Sequence, residues 1–135
     1  MKLGEPIPAL PVVDSGAASA FYRDRLGFDI AHHDDGFAIV VRDEATVHLW
    51  QAADHDWRDR DDLDKPVQTG AESFLAGTAS CRIHCEGIDE LFEELAGARV
   101  LHKVSLSGVE DTDWGTREFH VVDLDGNLIT FFERV

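Results

Sequence analysis

Residues 5–52 and 80–135 carry the same order of extended and helical segments, and this repetition limits the fold more than any other feature of the chain. In the first stretch, residues 8–13 (PALPVV) form an extended run whose two prolines suit a sheet edge or a strand start. Asp14 or Ser15 can cap the helix that follows. Ala17, Ala18, Phe21, Tyr22 and Leu26 give that helix an apolar stripe, and Gly27 is placed to end it in the left-handed conformation. Residues 28–31 resume an extended run, 32–36 (HHDDG) read as a polar turn, and 37–42 (FAIVVR) and 46–51 (TVHLWQ) read as strands.

The second stretch repeats this order. Residues 80–86 (SCRIHCE) are a strand, 89–96 a helix with Ile88, Leu91, Phe92 and Leu95 on one face and Gly97 as its stop, and 99–105 an extended run. After a loop over 107–114, the strands 118–122 and 128–132 enclose Asp125-Gly126, the residue pair that a tight hairpin turn prefers. Leu26-Gly27 and Ala96-Gly97 close the two helices alike, and VHLW at 47–50 occupies the place of ITFF at 129–132. A unit of roughly seventy residues present twice is too few copies for a solenoid, so the expectation is one α+β domain built of two β-α-β-β-β modules. Module one spans 5–52, module two 80–135, and a linker that breaks the pattern spans 53–79, with a short helical turn expected near 72–76.

The formal charge of -15, from 27 acidic against 12 basic residues, would repel phosphate backbones and anionic lipid. Nucleic acid and membrane are poor partners for such a chain and a cationic small molecule is a good one, while the same charge also serves solubility or a high-salt habitat. The N-terminal residues hold one lysine and no long apolar run, which reads as neither a signal peptide nor a transmembrane segment and leads us to expect a cytoplasmic protein. Cys81 and Cys85, four apart on a strand rising about 3.3 Å per residue, cannot bridge within one chain and read as small core residues. Trp114-Gly115 puts a large aromatic on a loop before the last hairpin, where it either covers the sheet edge or contacts a ligand. No nucleophile elbow, phosphate loop, CxxC or HExxH pattern is present.

Against this background the run Phe21-Tyr22-Arg23-Asp24-Arg25-Leu26-Gly27-Phe28, then Phe37-Ala38 with Val40-Val41-Arg42-Asp43, then Gly87-Ile88-Asp89-Glu90-Leu91 resemble the vicinal oxygen chelate superfamily. This superfamily contains glyoxalase I, extradiol dioxygenases, fosfomycin-resistance enzymes and bleomycin-resistance proteins. Of these residues, Val40-Val41-Arg42-Asp43, together with Trp114-Gly115 and Arg117-Glu118-Phe119, resemble the bleomycin-resistance branch more narrowly, whereas the Phe21–Phe28 run and the final hairpin with Asp123, Gly126 and Asn127 are general to the superfamily. The resemblance implies that each module rolls its sheet into half a cup with its helix on the convex side. It also implies a homodimer with two ligand crevices where the subunits meet, in keeping with four-stranded sheets that neither module can bury alone.

Metal-dependent members of the superfamily hold a divalent ion with four inward-facing His, Glu or Gln side chains, so that it can polarise vicinal substrate oxygens. Alignment puts Ile7, His48, Ser80 and Thr130 at those positions, and of these only His48 is a good ligand. His84, on the same strand face as Ser80, is the nearest further donor. The expectation is a metal-free binding protein without cofactor or catalytic residues. If His48 faces the cup, strand alternation brings Trp50 with it, Ser80 brings Arg82 and His84, and Thr130 brings Phe132. The resemblance implies that Phe37 and Trp114 flank a planar heteroaromatic tail of a cationic glycopeptide antibiotic, which is sequestered and so kept from DNA. Arg82 and His84 stand where aromatics would be expected, which leaves room for another ligand. The rival readings are a metal-dependent lyase, dioxygenase or thiol transferase of the same fold, and a binder of some other small molecule.

Overall fold

Two β-α-β-β-β units follow each other along the chain, each with its own four-stranded sheet. The structure, a computed structural model, describes residues 1–52, 71 and 75–135. Most of the linker expected over 53–79, and with it the helical turn at 72–76, lies outside the described residues. The first unit comprises β1 (Ala9–Val12), α1 (Ser15–Leu26), β2 (Asp29–Asp34), β3 (Phe37–Arg42) and β4 (Ala45–Gln51). The second comprises β5 (Ser80–His84), α2 (Ile88–Gly97), β6 (Glu110–Asp111), β7 (Thr116–Val122) and β8 (Leu128–Arg134), with a 3₁₀ turn at Lys103–Ser105 before β6.

The sheets have equivalent orders, β1-β4-β3-β2 and β5-β8-β7-β6. In each, the first strand pairs parallel with the last, Leu10 opposite Leu49 and Cys81 opposite Ile129, and the remaining pairs are antiparallel. This is the equivalence that VHLW and ITFF suggest in the sequence. Alternation along the strands then sorts the side chains. Ala38, Val40, Val47 and Leu49 of the first sheet, and Phe119, Val121, Ile129 and Phe131 of the second, are buried in one continuous core with Ala18, Tyr22 and Leu26 of α1 and Ile88 and Leu95 of α2. The opposite face of each sheet carries no helix and is half-buried or exposed along much of its length.

Asp14 caps α1 by accepting from the backbone N–H of Ala17 at 2.8 Å, and Gly27 ends it with φ 76°, as expected. Four expectations are corrected. His32 and His33 belong to β2 rather than to a turn. β2 is an edge strand whose backbone pairs with Ile39 and Ala38, and an edge tolerates polar side chains. Gly97 does not stop α2: the helix includes it, its C-cap is Ala98, and Arg99 takes the left-handed conformation with φ 60°. The run 99–105 forms no strand: Leu101 bridges Val121 and His102 is extended, and the chain then tightens into the 3₁₀ turn. The fourth strand of the second sheet comes instead from the expected loop, where Glu110 and Asp111 pair with Glu118 and Arg117. Cys81 and Cys85 are free and half-buried against the core, in line with their reading as core residues.

A buried polar joint fixes the two units relative to each other. Tyr22, fully buried on α1, donates its hydroxyl to Asp123 Oδ2 at 2.9 Å. Asn127 Nδ2 donates to the same oxygen at 3.0 Å and to the Pro11 carbonyl at 2.9 Å, and the backbone N–H of Val13 donates to Asp125 Oδ1 at 2.9 Å. Gly77 passes so close to this turn that a Cβ on it would meet the Asp125 carbonyl oxygen at 2.0 Å. Arg42 adds a forked pair with Glu94 of α2 at 2.6 and 2.9 Å, and Arg25 donates to the Ala98 carbonyl. The satisfied groups of Tyr22, Asp123 and Asn127 favour one arrangement, because a packing that separated them would leave a buried donor or acceptor unpaired.

Candidate ligand-binding site

Two aromatic clusters form on the helix-free faces, one per sheet. On the first, Phe37 of β3 lies directly across from Trp50 of β4, a cross-strand pair, and its ring meets His48 edge-on with centroids 5.0 Å apart. His32 reaches the same ring at 6.1 Å and holds Asp34 at 2.9 Å. Phe37, His48 and Trp50 therefore come together as the alternation of β3 and β4 requires.

On the second sheet, Arg82, Thr130 and His120 are directly paired across β5, β8 and β7, and in the next row His84 faces Phe132, which faces Glu118. Glu118 is only 5% exposed. Its two oxygens accept from Arg82 Nη1 at 3.2 Å and Nη2 at 2.5 Å, and Oε2 also accepts from the Thr116 hydroxyl at 2.8 Å. Arg82 above all holds the Glu118 carboxyl below its ordinary range against the upward push of burial, with Thr116 and Trp114 adding to the effect. The Arg82 guanidinium carbon lies over the Phe132 ring, 4.8 Å from its centroid, within cation–π range. Arg134 stands 5.5 Å from the same ring, and His84 meets it edge-on at 5.4 Å.

Trp114 sits at the tip of a tight loop. Gly115 has φ 84°, and the Thr112 and Thr116 hydroxyls meet at 2.8 Å while the Thr116 N–H donates to Thr112 Oγ1. The indole projects outward and is 68% exposed. Arg82, His84 and Phe132 are thus one cluster, with the buried Glu118 as the partner of Arg82, and Trp114 stands on the loop that leads into the same strand as Glu118. Sequence reasoning quoted Glu118 only within the Arg117-Glu118-Phe119 run and gave it no role. The available signal was Arg82 itself, because a cation on a sheet face calls for a counter-charge.

The side chains at the four aligned metal positions do not fit a divalent ion. Ile7 is apolar and lies before β1, Ser80 faces Leu128, and the Thr130 hydroxyl is bonded to His120 Nδ1 at 2.7 Å, which leaves the imidazole of His48. Among the described residues no three His, Cys, Asp or Glu side chains are grouped so as to hold an ion. Two clefts open between the units. The larger, about 610 Å³, runs between the β3–β4 turn and the start of α2 and touches only His84 of the residues above. The smaller, about 450 Å³, is lined by Ile7 and Thr46 on one side and Arg82 and His84 on the other, so it reaches the second cluster but not Phe37, His48 or Trp50 of the first.

A family model described as bleomycin resistance protein-like N-terminal matches residues 8–42. Two bleomycin resistance proteins, from Geobacillus stearothermophilus and from Staphylococcus aureus, are each 50% identical to the chain over 131 residues, which is 97% of this chain and 97% of theirs. Among solved structures, the bleomycin-binding protein from bleomycin-producing Streptomyces verticillus, complexed with copper(II)-bleomycin, is similar with a TM-score of 0.71 and 28% identity over 97% of this chain and 96% of that one. Identity at this level over nearly the whole length, together with the paired modules, shows that the chain belongs to the bleomycin resistance protein family.

Proposed function

We propose that this protein binds bleomycin, or a closely related cationic glycopeptide with a planar heteroaromatic tail, and confers resistance by stoichiometric sequestration rather than by catalysis. The observation that carries this reading is the 50% identity, end to end, with proteins named for bleomycin resistance. The aromatic clusters agree with it. Phe37, His48 and Trp50 on one sheet and Trp114, Arg82, His84 and Phe132 on the other are the binding residues, and the net charge of -15 attracts the cationic ligand. The working unit is a cytoplasmic, metal-free homodimer, in which the helix-free face of module one (5–52) of one subunit meets that of module two (80–135) of the other across a shared crevice. Two open four-stranded faces with half-buried aromatics support dimerisation, because a lone subunit leaves them in water. Calorimetric titration with bleomycin, combined with light scattering, tests both parts. One ligand per chain on a particle of about twice the 15.0 kDa chain mass is expected. No heat of binding removes the antibiotic reading, and a monomer that still binds removes the shared crevice.

A further inference from the structure

An arginine is out of place on the ligand face of a protein that attracts cations, unless its charge is cancelled and its shape is put to use. Both conditions hold for Arg82. Its charge is met by Glu118, whose carboxylate is buried and takes two hydrogen bonds from the guanidinium, so the pair brings no net charge to the face. Its shape is fixed at the same time. The two-pronged bond to Glu118 and the seat over Phe132 leave the guanidinium little freedom to turn, yet 48% of the side chain remains exposed. A guanidinium held this way is a planar, delocalised, weakly hydrated surface on which aromatic rings stack.

We infer that Arg82 is a specificity-determining contact, a flat wall seated on Phe132 against which a planar heteroaromatic group stacks, with the buried Glu118 as the residue that positions it. The inference rests on the antibiotic-binding reading above and names what stands in for an aromatic at this place. It selects for electron-rich planar rings over flexible cations, which Arg82 would repel if Glu118 did not neutralise it.

The discriminating variant is Arg82→Lys, which keeps the charge and can keep an ion pair with Glu118 but has no plane. Titration of full-length protein with bleomycin should show affinity falling about tenfold for Arg82→Lys, with the melting temperature within about 2 °C of wild type. The loss of near-ultraviolet absorbance that stacking imposes on the planar group should shrink in step. Glu118→Gln should give a similar loss, and its binding should strengthen less than that of wild type as salt is removed, because Arg82 is then an uncancelled cation on the ligand face. Arg82→Lys with wild-type affinity and wild-type absorbance change overturns the wall and leaves the antibiotic reading standing. A wild-type protein that does not bind overturns both.

Discussion

Replacing Trp114 by alanine separates a binding aromatic from a packing one. The side chain is already mostly in water, at 68% exposed, so truncating it removes little surface that folding has buried. The buried Glu118 carboxylate keeps Arg82 and Thr116 as its donors after the change. No buried group is orphaned, and the cost in folding stability stays below about 1 kcal/mol, the net worth of one ordinary hydrogen bond. In a chain of this size that is a shift of a few degrees at most. The cost in binding is larger. Stacking on a planar ring contributes about 1 kcal/mol beyond the area covered. A cation over the indole contributes about as much again where water is partly excluded. A loss of about fivefold from stacking alone, rising to about thirtyfold with both, is therefore expected for bleomycin. Long-range attraction to the charge of -15 is screened over about 8 Å at physiological ionic strength and does not depend on Trp114, so the salt dependence of wild type and variant should run parallel. Calorimetry at two salt concentrations with a thermal melt of each protein measures all three quantities. Equal affinity in the two proteins, or a stability loss that matches the affinity loss, would refute the assignment.

Tyr22→Phe should lower stability by about 1.5 kcal/mol in urea unfolding, since it removes one of the hydrogen bonds to the buried Asp123 carboxylate, and a change under about 0.5 kcal/mol would show that the joint does not depend on it. Asp125→Asn should raise stability at neutral pH. Its carboxyl is pushed above the ordinary range chiefly by burial and then by Asp123 and Asp14, and Oδ2 is buried without a partner among the described residues. A raised folded pKa means that the native contribution is complete below the unfolded value and is lost as pH rises, so the advantage of the variant in melting temperature should be clear at about pH 7 and vanish near about pH 3. A constant difference across that range would contradict the assignment of the charge to Asp125.

What could be read from the sequence depended on how local the cause is. Gly27 and the Asp125-Gly126 turn are legible because a left-handed residue after a helix or in a hairpin is a demand of a few neighbouring atoms, met here with φ of 76° and, at Gly126, 101°. His32 and His33 mislead because their polarity suggests a turn, whereas the edge of a sheet asks only for backbone pairing, which Ala38 and Ile39 provide. Gly97 resembles Gly27 in its place after a helical run, but the helix continues through it and Arg99 absorbs the reversal, a choice set by how α2 meets the rest of the fold rather than by the run itself. At the candidate site the difference is sharper. Alternation puts His48 with Trp50, and Arg82 with His84, on single strand faces without any knowledge of the partners. It gives no account of why an arginine belongs there. That answer needs two registers at once, β5 parallel to β8 and β8 antiparallel to β7, which bring Arg82 beside a glutamate 36 residues further along the chain. Once that register is known, Arg82 no longer counts as a departure from an aromatic surface. Its planar cation, fixed over Phe132 by a buried carboxylate, covers apolar surface and exposes a flat face, which are the two physical services an aromatic ring would render at the same place.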